Sequence, residues 1–396
     1  MSDPGGPTTI DPAGAARTPG RRQGVVGSAW ALSAVPLTAV ILGLIVGGLI
    51  IVASTWFTTG QLDVGQPIEA YRSMLEGGLG SVNGIINSMV QAAPLILAAL
   101  AVGICFKAGL FNIGVQGQFL FGAFGAAAVG SYVADADPVV AISASLGAAI
   151  LLSGIWGFIP GFLKAFTGAH EVVTTIMLNF IAATIIGYLV VGPLLGPGGA
   201  SETGDVGHAA LPIIFGRNLH LGVGLAFLAV PIVYWVLWKS TVGFEIRTVG
   251  ASPTAARYAG MRPGFLTVVT MTWAGVLAGL AGAIQILGIN HSMSASYGTS
   301  IGFDAIAVAL LGRAHPFGIL AAALLFGVMR AGAGLMQINA SVPVEIVDVI
   351  QATILFFLAA DVIVRAILRG LHLRAAEAGV DELRTVTASY GQQTSL

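Results

Sequence analysis

Residues 106–125 read FKAGLFNIGVQGQFLFGAFG, a lysine, an asparagine and two glutamines set among glycines and phenylalanines. Gly109, Gly114, Gly117, Gly122 and Gly125 break the stretch up. Inside a bilayer, backbone groups leave a regular helix only where protein or water satisfies them. A polar, glycine-rich interruption at the edge of an apolar run therefore predicts a broken helix that faces the interior of a helical bundle. Asn112, Gln116 and Gln118 are assigned to that interior, because polar groups at membrane depth face cavities or partners. Lys107 serves equally well as an anchor whose stem lies in lipid and whose ammonium reaches water.

A second polar set lies in GAHEVVTTIMLNF, residues 168–180. Glu171, Thr175 and Asn179 repeat at i, i+4 and i+8 and share one helix face, with Thr174 beside them. The acid stands near the helix N-terminus, where the helix dipole favours it. Ligand contact along a pathway and plain interhelical hydrogen bonding both account for this face. His170 with Glu171 is too little for a metal site, and no second histidine has ligand spacing.

The third stretch, KSTVGFEIRTVGASPTAARYAGMRPG, spans residues 239–264. Ser252 is suited to cap a helix, Pro253 to open it and Gly260 to end it. A short helix over about 253–260 is expected, flanked by Glu245, Arg247, Gly250, Arg257 and Arg262, and it could dock another protein. The fourth stretch, IGFDAIAVALLGRAHPFG at 301–318, is a short apolar run that holds Asp304. It is a second interruption, in the opposite half of the chain, and such a pairing suggests an inverted repeat with a pathway at its interface. Arg330 and Asp348 are expected to form a structural ion pair.

These residues must be held by a membrane scaffold. The chain has 396 residues, 56% hydrophobic and only 9% charged, with a net charge of −1. Soluble domains carry roughly a quarter charged residues, so a soluble surface is excluded. About 20 apolar residues make one span. Roughly ten such runs occur, near 30–54, 86–106, 113–133, 139–162, 172–192, 221–238, 264–287, 300–312, 316–336 and 344–368. The runs are continuous and do not alternate, which excludes a transmembrane barrel. The fold class is all-α, polytopic, with short and broken helices. With the N-terminus in the cytoplasm, the three lysines and most arginines fall on cytoplasmic ends, as positive charge requires. Both termini are then cytoplasmic, with residues 1–29 a disordered tail, 30–368 the membrane domain and 369–396 a second tail that carries a surface helix near Ala375–Arg384. Residues 55–85 and 193–220 are external, and PIEAYRSMLEG in the first is expected as a short helix with Pro67 in its first turn. Cys105 lies inside an apolar run and reads as an inert buried thiol.

No phosphate-binding loop is present, since none of the three lysines follows a glycine. If transport is driven by ATP, the ATPase is another chain.

Together FKAGLFNIGVQGQ, GAHEVVTTIMLNF, GFEIRTVGASPTAARYAGM and GFDAIAVALLGRAHPFG resemble permease subunits of bacterial ABC importers. The branch is the one of branched-chain amino acid, ribose and nucleoside permeases, and the nucleoside group linked to basic membrane proteins is the most similar. The resemblance covers about residues 30–370. In the family pattern a glutamate stands where this chain has Gln116, which weakens any role that needs a charge there. The resemblance implies a second permease subunit, a separate ABC ATPase that binds ATP and magnesium, and an external substrate-binding lipoprotein. It implies no cofactor in this chain and no nucleic-acid partner. It also makes the helix at 253–260 the coupling helix. The expected cargo is a nucleoside, with a simple sugar as the alternative. A stand-alone secondary transporter or channel is less favoured, because the capped cytoplasmic helix would then have no purpose.

Overall fold

The computed structural model describes residues 25–60, 62–197, 199 and 201–360. Residues 1–24 of the first expected tail, the whole of the second, including the helix near Ala375–Arg384, and the final eight residues of the last run lie outside these residues; residues 25–29, expected as tail, are helical and open the first helix.

Thirteen α-helices make up most of the described chain. In order they are α1 (Val25–Thr59), α2 (Gln66–Leu79), α3 (Val82–Lys107), α4 (Val115–Tyr132), α5 (Pro138–Thr167), α6 (Glu171–Val191) and α7 (Leu221–Lys239). They continue with α8 (Thr241–Ala251), α9 (Pro253–Tyr258), α10 (Pro263–Gln285), α11 (Ile301–Leu311), α12 (Pro316–Ala340) and α13 (Glu345–Ala359). The one sheet among the described residues is a small hairpin of β1 (Ile213–Phe215) and β2 (Leu219–His220) in the segment between α6 and α7. As expected, α2 forms between α1 and α3 and has its proline in the first turn.

Seven described helices are long and apolar enough to cross a bilayer: α1, α3, α5, α6, α7, α10 and α12. The other three expected runs are also helical but do not reach that standard as described. Polar residues at its start dilute α4, α11 has only 11 residues, and α13 is described for 15.

At the centre lies α3, buried continuously from Ala92 to Phe106. A helix surrounded on all sides needs no polar face, which is why its sequence is apolar all round. It packs against α12, α10, α11 and α7. The contacts repeat by exchange of α3–α6 with α10–α13. Thus α5 lies on α10 as α12 lies on α3, α4 on α10 as α11 on α3, and α4 on α6 as α11 on α13. Across this relation α3 touches α10 and α4 touches α11. Both α3 and α10 meet α8, the first through its end, where Lys107 lies beside Gly250.

Candidate functional site

The first interruption sits between Lys107 and Val115. A helix start leaves its first backbone N–H groups without partners inside the helix. The residue before α4 is Gly114, which has no side chain to supply one. The missing partners come from elsewhere. Asn179, on α6, accepts from Gly117 N at 2.8 Å and donates to Ile113 O at 3.0 Å. Asn112 accepts from Gly114 N at 3.0 Å and donates to the Gln118 carbonyl at 3.2 Å. Gln116 reaches across the molecule: its Oε1 accepts from Gly302 N at 2.8 Å, and its Nε2 donates to Thr299 O at 2.7 Å. A side chain at the start of α4 therefore caps the start of α11. The approach is backbone to backbone, since a Cβ on Gly302 would lie 2.3 Å from Gln116 Cα. An amide suits this place because it accepts one bond and donates the other. All four amides are buried.

Two more expected site residues complete this half. Thr175 is fully buried; it bonds Glu171 O at 2.7 Å and packs where a Gly114 Cβ would stand. Glu171 is buried and pairs with Lys164 at 2.6 Å, joining the end of α5 to the start of α6. All seven expected pathway residues thus engage partners within the chain: Asn112, Gln116, Thr175, Asn179 and Glu171 as above, Gln118 through its side-chain carbonyl, and Asp304 as described below. In Gln118 the carbonyl is bonded, but its Nε2 is buried and has no hydrogen-bond partner among the described residues.

The second interruption is more open to its surroundings. After α10 comes a π-helical turn, Ile286–Asn290, then residues 291–300 before α11. Such turns recur at functional sites. Gln285 donates to Asn290 Oδ1 at 2.7 Å, an i to i+5 pair that matches the π-helical step. Asp304 accepts from Ser300 at 2.6 Å and is ion-paired with Arg330 of α12. Arg330 was expected to pair with Asp348; its partner is Asp304 instead, because the short α11 lies beside α12 and presents the carboxylate to it. Gln285, Asn290 and Tyr297 are exposed or partly exposed polar residues around this interruption that the sequence reading did not assign. Their signal was the pair of polar residues that flanks ILGI, which only a π-helical period brings together.

The third feature is an elbow of two helices, where the sequence foretold one. Ser240 caps α8 by accepting from Gly243 N at 3.1 Å. Ser252 caps α9 by accepting from Ala255 N at 3.2 Å, with Pro253 as its first residue. Gly260, at φ +83°, ends it: Gly260 N reaches Arg257 O and Met261 N reaches Ala256 O, both at 3.0 Å. The helix closes at Tyr258, two residues earlier than expected. Gly250 seats the elbow, since its Cβ position lies 2.2 Å from Lys107 O and the Gly109 backbone is next to it. Arg247 donates to Leu237 O at 2.9 Å, and Glu245 is half-exposed. Arg257 and Tyr258 project outward, Tyr258 with 90% exposure.

A many-spanning helical bundle, interrupted at its centre and carrying a capped elbow at one end, defines a membrane transport subunit. The chain matches the family described as branched-chain amino acid transport system / permease component over residues 84–359, and it belongs to that family. It is 37% identical over 350 residues to the guanosine ABC transporter permease protein NupP of Bacillus subtilis, covering 86% of this chain and 97% of that one. It is 34% identical over 357 residues to the nucleoside ABC transporter permease protein NupB of Lactococcus lactis, covering 87% and 95%. It is also 34% identical over 346 residues to the glucose ABC transporter permease protein TsgB13 of Haloferax volcanii, covering 83% and 88%. No solved structure matches the chain.

Proposed function

We propose that this chain is the nucleoside-conducting permease subunit of an ATP-driven importer in the cell membrane, with both termini in the cytoplasm. Its partners are a second permease subunit, an ABC ATPase that binds the ATP and magnesium, and an external substrate-binding lipoprotein. The observation that carries this reading is α9, six residues capped at both ends and presenting Arg257 and Tyr258 outward. A helix this short does not persist unaided, and an exposed tyrosine beside an arginine is the composition of a contact centre. Similarity to two nucleoside permeases over nearly their whole length supports the cargo.

Along the pathway, the wall at the second interruption offers amides, hydroxyls and one ion pair to a polar solute. Asn112, Gln116, Gln118, Asn179 and Thr175 brace the first interruption and set its shape. In the test, the chain is reconstituted in proteoliposomes with its ATPase and binding protein. Arg257→Glu abolishes nucleoside uptake while the binding protein keeps its ligand affinity. Normal uptake by this variant, with ATP hydrolysis still responsive to loaded binding protein, would reduce the elbow to a tether. A simple-sugar cargo is the second reading, favoured by the likeness to TsgB13. A thermal-shift screen of the cognate binding protein separates the two: stabilisation by nucleosides supports the first reading, and stabilisation by pentoses or hexoses alone supports the second.

A further inference from the structure

We propose that Trp238 is the joint through which movement of the α8–α9 elbow reaches both interrupted helices; this rests on the importer reading above. Trp238 is the second-last residue of α7, and groups from three other elements gather on its indole ring. The Lys107 ammonium, at the end of α3, lies 5.8 Å from the ring centroid. The Arg247 guanidinium, on α8, also lies at 5.8 Å. The His315 ring, which immediately precedes α12, lies at 5.1 Å and is tilted by 57°. From within α7, Tyr234 stacks on it at 5.4 Å and 15°.

Each neighbour is the end of something that matters to the pathway. Lys107 closes the helix that leads into the first interruption. His315 follows Arg313 and Ala314, both at positive φ, which turn α11 back into α12. Arg247 sits three residues before Gly250 on α8, so the elbow grips the core twice on one face. One grip is the backbone contact of Gly250 with Lys107 and Gly109. The other is Arg247, held between Leu237 O and the indole. Cations are attracted to an aromatic face, and tryptophan gives the strongest such contact. The ring thereby holds two cations that would otherwise repel each other, and it holds them against a side chain with only two soft torsions. A displacement of α8 that carries Arg247 must be shared by Lys107 and, through the indole, by the turn at His315. Without the ring the elbow keeps its seat at Gly250 but loses the side-chain contact that joins Arg247 to His315. Trp238 is thus a positioning residue, which acts through others and need not touch cargo.

The experiment uses the full complex in proteoliposomes, with wild type, Trp238→Ala, Trp238→Phe and Trp235→Ala. Trp235 is 60% exposed on the same helix and serves as the control. Trp238→Ala is expected to retain the ATPase on co-purification but to lose the rise in ATP hydrolysis caused by loaded binding protein, with uptake at least tenfold lower. Trp238→Phe should recover at least half of both, and Trp235→Ala should behave as wild type. Substrate-stimulated hydrolysis that survives in Trp238→Ala overturns the proposal. Loss of the ATPase from Trp238→Ala also overturns it, since the residue would then support docking and not transmission. If Trp238→Ala does not accumulate in the membrane, His315→Ala decides, because it removes the α12 side of the indole contact while Trp238 stays; normal coupling there overturns the proposal. Failure of the importer reading looks different, as wild type itself would neither retain the ATPase nor respond to loaded binding protein.

Discussion

Asn179 satisfies two backbone groups where the first interruption enters α4 with one side chain. Leucine there would strand a buried N–H at Gly117 and a partly buried carbonyl at Ile113, each costing up to about 1–3 kcal/mol. Asn179→Leu is therefore expected to lower the thermal midpoint in detergent by several degrees, with Asn179→Asp in between because it keeps the acceptor. An unshifted midpoint would show that water replaces the amide and that the break is open. His220 makes a second case at this scale. It is 1% exposed, and neither ring nitrogen meets a hydrogen-bond partner among the described residues. Burial, helped by nearby His291, pulls its pKa down to about 4. An unfolded histidine takes up a proton near 6.5, so between roughly 6.5 and 4 only the unfolded chain binds it. Its stabilising contribution is thus complete above about pH 6.5 and drains away as pH falls toward 4. His220→Phe keeps the ring volume and should flatten that part of the midpoint-versus-pH curve; an unchanged slope would assign the acid sensitivity to other groups. Asn179 and Gln116 were legible in the sequence as polar residues at membrane depth, but their partners were not, and His220 was not singled out. The groups Asn179 bonds lie 62 and 66 positions away, and those of Gln116 lie 183 and 186 away. No local period records such distances.

At the scale of elements, local chemistry was read well where it acts locally. Ser252, Pro253 and Gly260 mark the bounds of α9 because capping depends on residues within one turn. The preceding α8 was missed because TVGFEIRTVGA carries two glycines and reads as a loop. Both glycines serve close packing: a Cβ on Gly243 would lie 2.0 Å from Val236 O, and one on Gly250 would lie 2.2 Å from Lys107 O. Tertiary contact overrides their low helix propensity. Gly250→Ala should accordingly push α8 off the first interruption and reduce uptake at least tenfold, although alanine is the better helix former. Uptake equal to wild type would mean that the elbow moves freely of α3. Ser252→Ala tests the cap alone, which contributes about 0.5–2 kcal/mol. It should weaken retention of the ATPase a few-fold without altering the yield of the chain.

For the whole molecule, composition and apolar runs revealed a polytopic helical protein, and every one of the ten runs overlaps a helix. The number that cross the bilayer was less legible. Length and hydropathy do not distinguish a full span from a half-helix such as α11, whose free end is satisfied by a residue from another helix. Orientation is open to direct measurement. Cys105 is fully buried, so introduced cysteines label against a silent background. Ser201→Cys is expected to react with an impermeant maleimide on intact cells, and Ser252→Cys only after lysis. The reverse pattern would invert the assignment of sides and place the elbow outside.

The bond from Gln116 to the start of α11 also has a bearing on biosynthesis. Its two ends are 183 and 186 residues apart, and chains grow at about 5–20 residues per second, so α4 waits on the order of 10–40 s for its partner to emerge. Through that interval the nascent chain carries an unclosed polar gap into the bilayer. The two halves cannot mature one after the other as independent units, and closure belongs to the last stage of insertion. A ribosome stalled before residue 299 should hold an intermediate in which the Gln116 amide still lacks its partners at Thr299 and Gly302, open to the quality-control proteases that survey the membrane.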